Sequence, residues 1–128
     1  MGYSFIKIHY PEQLRYLHDK GFLYLVRYRG AKNNSIVSIF YNGSNVGYGS
    51  ITVIGKVVKR DGELYVRDSD DDLIPIEDYQ PFSGFDERTW IKYVAQKYEK
   101  SSNRIFLVKL TLIRAYYPFY KALREEQP

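Results

Sequence analysis

A chain of 128 residues suits a single domain with one buried core and is too short for two of ordinary size. The absence of cysteine excludes disulfide frameworks and thiolate metal sites, and no window approaches the apolar run of a membrane span. The formal charge of +4 is compatible with a polyanionic partner, and fourteen tyrosines point to strands or a groove where rings are half-buried and hydroxyls stay wet. Lys7, His9 and Pro11 interrupt any N-terminal signal core, so a soluble cytoplasmic protein is expected. Few Asn and Gln beside many charged residues lean toward a thermophilic source.

In chain order, Tyr3–His9 alternates as a short first strand. Pro11 opens a helix, where its missing N–H costs nothing, and Gly21 closes it. Phe22–Arg29 is a strand with Phe22, Tyr24, Val26 and Tyr28 on one face and Leu23, Leu25, Arg27 and Arg29 on the other. A polar loop, Gly30–Asn34, carries Lys32. Ile36–Tyr41 and the long run Val46–Val58 pair across an Asn42-Gly43 turn, and Gly47, Gly49 and Gly55 allow the long strand to bend. Arg60-Asp61-Gly62 turns the chain back as Glu63–Arg67. An acidic loop, Asp68–Asp72, and an irregular stretch with Pro75, Pro81 and Gly84 follow. Asp86 caps a helix to about Lys100, with Trp90, Ile91, Val94 and Tyr98 as its buried stripe. Arg104–Arg114 is a strand covered on both faces, and a helical tail follows Pro118. The expected fold is α+β: a small mixed β-barrel of five to six strands with two or three helices at its ends.

Arg27 and Arg29 share one strand face about 7 Å apart, a spacing that lets two guanidinium groups fork onto neighbouring phosphates. Lys32 extends that surface, and a solvated strand face is the plainer alternative. Tyr41, Asn45 and Tyr48 surround the hairpin, where rings offer stacking and amides read base edges; turn formation and cross-strand pairing explain the same residues. Asp68, Asp70 and Asp72 have the opening spacing of a calcium loop, but Leu73 stands where glycine is required and no Glu follows at the twelfth position. His9 and His18 have no third ligand nearby, and no metal, cofactor or catalytic group is expected.

Tyr28–Arg29, Ile39-Phe40-Tyr41-Asn42-Gly43, Gly47-Tyr48-Gly49-Ser50-Ile51, Trp90, Arg104–Arg114 and Tyr117-Pro118 fall in an order of elements that resembles the PUA-like superfamily. Within it, the ASCH and EVE groups and related archaeal domains are most similar. The resemblance spans nearly the whole chain as a pattern of elements, without a diagnostic motif. It implies RNA or modified-base recognition in a cleft between barrel and helix, with Trp90 as a pocket wall, Arg88 beside it, and Arg104 on phosphate. ASCH-type hydrolases place a Lys ahead of a Thr or Glu, with a closing Arg, on the strand matching Phe22–Arg29. Arg27 can fill the last position, but Phe22 to Val26 are apolar or aromatic and Lys20 lies too far back. The balance is therefore against an enzyme. The leading expectation is a nucleic-acid-binding module with RNA favoured over DNA. A small hydrolase or nuclease and a protein-interaction domain, including a homodimer, are the alternatives.

Overall fold

In the computed structural model, which describes residues 4–28, 35–101 and 104–125, Pro11 and Gly21 bracket helix α1 (Pro11–Lys20). Gly21 sits at φ +84°, where its N–H donates to the Leu17 carbonyl at 2.9 Å and ends the helix. Gln13, Leu14 and Leu17 form its buried face. The strands are β1 (Phe5–Ile8), β2 (Phe22–Tyr28), β3 (Ser35–Tyr41), β4 (Ser44–Arg60), β5 (Glu63–Arg67), β6 (Leu73–Pro75) and β7 (Ile105–Ala115). A 3-10 helix (Ile76–Phe82) precedes α2 (Glu87–Lys100), and α3 (Tyr117–Glu125) follows β7. The Gly30–Asn34 loop, with Lys32, and Arg29 before it lie outside the described residues.

Asn42 and Gly43, at φ +50° and +81°, make the two-residue turn that matches strand twist, and β3 pairs with β4 around it. The 17-residue β4 is the spine of a mixed seven-stranded sheet. One edge of β4 pairs with β7, which pairs with β2. Its other edge is divided. Ser44–Ile51 holds β3, which carries β1 in parallel, and Lys56–Arg60 holds β5, which carries β6. The β4–β7 register shifts at Tyr48/Gly49 and Val53/Gly55. A Cβ at Gly49 would overlap the Thr111 carbonyl, and one at Gly55 the Arg67 carbonyl, so these two positions let neighbouring backbones close on a bent strand.

The α+β class is as the sequence indicates, but among the described residues no ladder joins β1 to β2, so the sheet does not close into a barrel. Seven strands replace the five or six expected. The extra strand β6 and the 3-10 helix come from the stretch around Pro75 and Pro81 that reads as irregular in sequence.

Two cores flank the sheet. On one face Leu23, Leu25, Ile39, Ile51, Val108 and Leu110 pack with Leu14, Leu17 and Phe119 under α1 and α3. On the other, Val26, Val57, Ile105 and Leu107 pack with Ile76, Trp90 and Val94 under the 3-10 helix and α2. Each fully buried aliphatic side chain contributes about 1.5–3 kcal/mol. Asp86 caps α2 by accepting the Thr89 N–H at 2.7 Å. The buried face of α2 is Trp90, Tyr93 and Val94, with Ile91 and Tyr98 only partly covered. No described helix is long and apolar enough to cross a membrane.

Candidate functional site

The open seam between β1 and β2 leaves two edge strands whose peptide groups need partners, and side chains supply them. The Val26 N–H donates to the Tyr93 hydroxyl at 3.1 Å, and that hydroxyl donates to the Val26 carbonyl at 3.2 Å. A helix phenol thus satisfies both backbone polar groups of one edge residue of β2. Burial pushes the Tyr93 pKa far up, which keeps the hydroxyl protonated and able to do both. Arg27 follows Leu23 and Leu25 on the same strand face, and its Nη2 crosses the seam to the Phe5 carbonyl at 3.1 Å.

Between these bridges lies a cleft of about 230 Å³ walled by Phe5, Lys7, Tyr10, Arg27, Tyr28 and Lys97. Gln13, Val26 and Tyr93 form its deeper part, and His9 stands at its edge. Among the described residues, Lys7, Arg27 and Lys97 bring three cations to it, and no Asp or Glu lines it. The Lys97 ammonium lies 5.1 Å from the Tyr28 ring centre and 5.2 Å from that of Tyr93. Burial, and then neighbouring Lys100, hold the Lys97 pKa below its usual value; burial likewise lowers that of Arg27. An anion entering the cleft relieves both penalties, because it favours the charged forms. Tyr10 stands edge-on to Tyr93 at 6.2 Å and to Phe85 at 5.2 Å, which fixes its ring at the mouth.

Among the described residues, two donors in this cleft lack partners. Arg27 Nη1 and Gln13 Nε2 are buried and make no hydrogen bond, although Gln13 is only 3% exposed. Gln13 Nε2 faces the Tyr93 hydroxyl closely enough to oppose slightly the rise in its pKa, but without hydrogen-bond geometry. A buried unpaired donor costs about 1–3 kcal/mol. Both groups can only donate, so what satisfies them is an acceptor.

No family model, no curated protein and no solved structure matches this chain. The site therefore rests on its own chemistry.

The expected residues do not converge. Arg27 lies in the cleft. Arg29 and Lys32 fall outside the described residues. Arg104 is exposed and directly precedes Ile105, the partner of Tyr28, which puts it at the same end of β7. Tyr41 is buried and borders a separate hollow beneath α3. The Asn45 side-chain oxygen accepts the Gly47 N–H at 3.2 Å and supports the hairpin. Tyr48 is half-buried, opposite Arg114, with its ring 6.2 Å from Tyr116. Arg88 is exposed on the first turn of α2, where its charge favours the Asp86 carboxylate. Trp90 takes the core place that its helical stripe indicates, which corrects the pocket wall implied by the resemblance: the ring is fully buried and its N–H donates to the Ile76 carbonyl at 2.8 Å. Its one polar group is spent inside the second core.

Lys7, Tyr10, Gln13, Tyr93 and Lys97 were not singled out from the sequence. One sign was available. Tyr93 and Lys97 are four apart on α2, so a cation stands one turn along from a ring. Asp68, Asp70 and Asp72 do bring carboxylate oxygens within 4.8 Å of one another. Asp68 already accepts the Asp70 and Asp72 N–H groups at 3.0 Å each, and no further feature there points to an ion.

Proposed function

We propose that the protein is a nucleic-acid-binding module of PUA-like architecture that holds single-stranded RNA at the β1–β2 seam. In this reading the curled sheet is a barrel left open at one seam, and the opening is the binding cleft. Lys7, Arg27 and Lys97 meet phosphates, and Tyr10 and Tyr28 offer ring faces to an unpaired base. The observation that carries the reading is the pair of unsatisfied donors, Arg27 Nη1 and Gln13 Nε2, inside a cleft that the described residues line with cations and no carboxylate. A phosphate or the acceptor edge of a base supplies what they lack. A hydrolase would need an acid–base pair at the same place, and none of Lys20, Lys109 and Glu87 lines the cleft.

The test is fluorescence anisotropy with a labelled single-stranded RNA across a salt series. Three phosphate contacts give a log–log slope of about −2, so affinity falls about fifteenfold between 50 and 200 mM salt. Exchanging Lys7 for Glu, on the exposed face of β1, flattens that slope by about one unit. Matching single-stranded DNA is expected to bind more weakly than RNA. Salt-independent binding, or none at micromolar protein, rules the reading out.

A further inference from the structure

The seam cleft is the first of three hollows in a row. It shares Lys7 and His9 with a second, of about 220 Å³, whose far wall is Phe40, Asn42 and Gly43. That hollow shares Asn42 with a third, of about 380 Å³, between Ser44 and Val46 of the hairpin and Tyr117 and Lys121 of α3. The topology explains the alignment. β1 runs parallel to β3, with Ile8 opposite Tyr41, so following β1 away from the cleft leads to the Asn42-Gly43 turn. There the Tyr116 N–H donates to the Val46 carbonyl at 2.8 Å and anchors the start of α3 beside the hairpin.

Charge along this path is one-sided. Lys7, Arg27, Lys97 and Lys121 line it, and the one carboxylate among its described residues, Glu125, stands 4.0 Å from Lys121. Elsewhere the molecule offers the opposite. The hollow between the β4–β5 hairpin and α2 is lined by Glu63, Glu77 and Glu99 against Lys59 alone. Rings recur on the basic path too, with Phe5 47% and Tyr117 65% exposed at its two ends.

We infer that one single strand of RNA follows this track. One nucleotide occupies the seam cleft, and the next ones cross the Asn42-Gly43 turn to reach Tyr117 and Lys121. The inference rests on the reading of the cleft given above and adds to it a path, a minimum length and a second contact region. The β1 segment alone spans about 10 Å, so a dinucleotide seated in the cleft does not extend to α3.

Labelled single-stranded RNAs of two and six nucleotides test this with the full chain. The six-mer is expected to bind more tightly. Lys121→Glu weakens the six-mer about fivefold and lowers its salt slope by about one, and leaves the dinucleotide unaffected. Tyr117→Ala weakens the six-mer by a similar factor through lost stacking. Both side chains are exposed on α3, and circular dichroism checks that the fold is kept. Lys59→Glu, on the acidic side, leaves both RNAs unchanged. Equal affinity for the two lengths, a six-mer indifferent to both α3 variants, or an equal loss with Lys59→Glu overturns the track; the dinucleotide then still reports on the cleft. Failure of both RNAs to bind overturns the track and the cleft reading together.

Discussion

Tyr93 is a helix side chain that satisfies a strand, since its hydroxyl takes the Val26 N–H and returns its proton to the Val26 carbonyl. Tyr93→Phe keeps the ring and strands both peptide groups, for an expected loss of about 1–3 kcal/mol in urea unfolding at neutral pH. The same hydroxyl shapes alkaline stability. Its pKa in the folded protein is raised above the ordinary 10.0 by burial, so its contribution is complete below pH 10 and is lost as pH rises beyond it. There the unfolded chain gives up the phenolic proton and the folded one keeps it, which lowers stability by up to about 1.4 kcal/mol per pH unit. The gap between wild type and Tyr93→Phe should therefore narrow above pH 10, and parallel curves would contradict this role. Little of it is legible in the sequence. A helical stripe marks Tyr93 only as a core position, and the peptide it completes lies 67 residues away.

Among the elements, β4 decides where the seam falls. The two register shifts in its pairing with β7 bend the sheet, and its divided edge sends β3 and β1 one way and β5 and β6 the other. Gly49→Ala tests that dependence, because the added carbon meets the Thr111 carbonyl and the backbones must part. A loss of about 1–3 kcal/mol is expected, seen as a lower denaturation midpoint; an unchanged midpoint would show that the approach is not needed. The local chemistry of this strand is readable directly: Asn42-Gly43 and Asp61-Gly62 announce tight turns, and the glycines of Val46–Val58 announce a bend. Pairing is a different matter. Whether β1 joins β3 depends on contacts between residues 33 apart, and whether it then meets β2 on contacts about 22 apart, which no local pattern encodes. The expectation of a closed barrel fails at this step. β6 is missed for another reason, since three residues ending in Pro75 are too few to show a strand period.

For the whole molecule, an open seam coincides with a one-sided distribution of charge. Arg27 is the candidate visible in advance, as one of two arginines, with Arg29, that continue the face of Leu23 and Leu25. The other expected residues are scattered by the fold: Trp90 into the second core, Tyr41 under α3, Arg88 onto the surface of α2. Rings and cations can be counted in a sequence, but which of them share a wall is set by topology. Gln13 illustrates this, because it lies next to Leu14 on the buried face of α1, and only the placement of β2 and α2 turns its amide into a free donor in a cleft. That amide also provides the most direct test. In an NMR titration of the ¹⁵N-labelled protein with single-stranded RNA, the Gln13 side-chain NH₂ and the backbone amides of Lys7, Arg27 and Lys97 should shift together and saturate at one equivalent. Shifts confined to the acidic hollow around Glu63 and Glu99, or a Gln13 signal that stays still as others move, would contradict the assignment of this seam as the binding site.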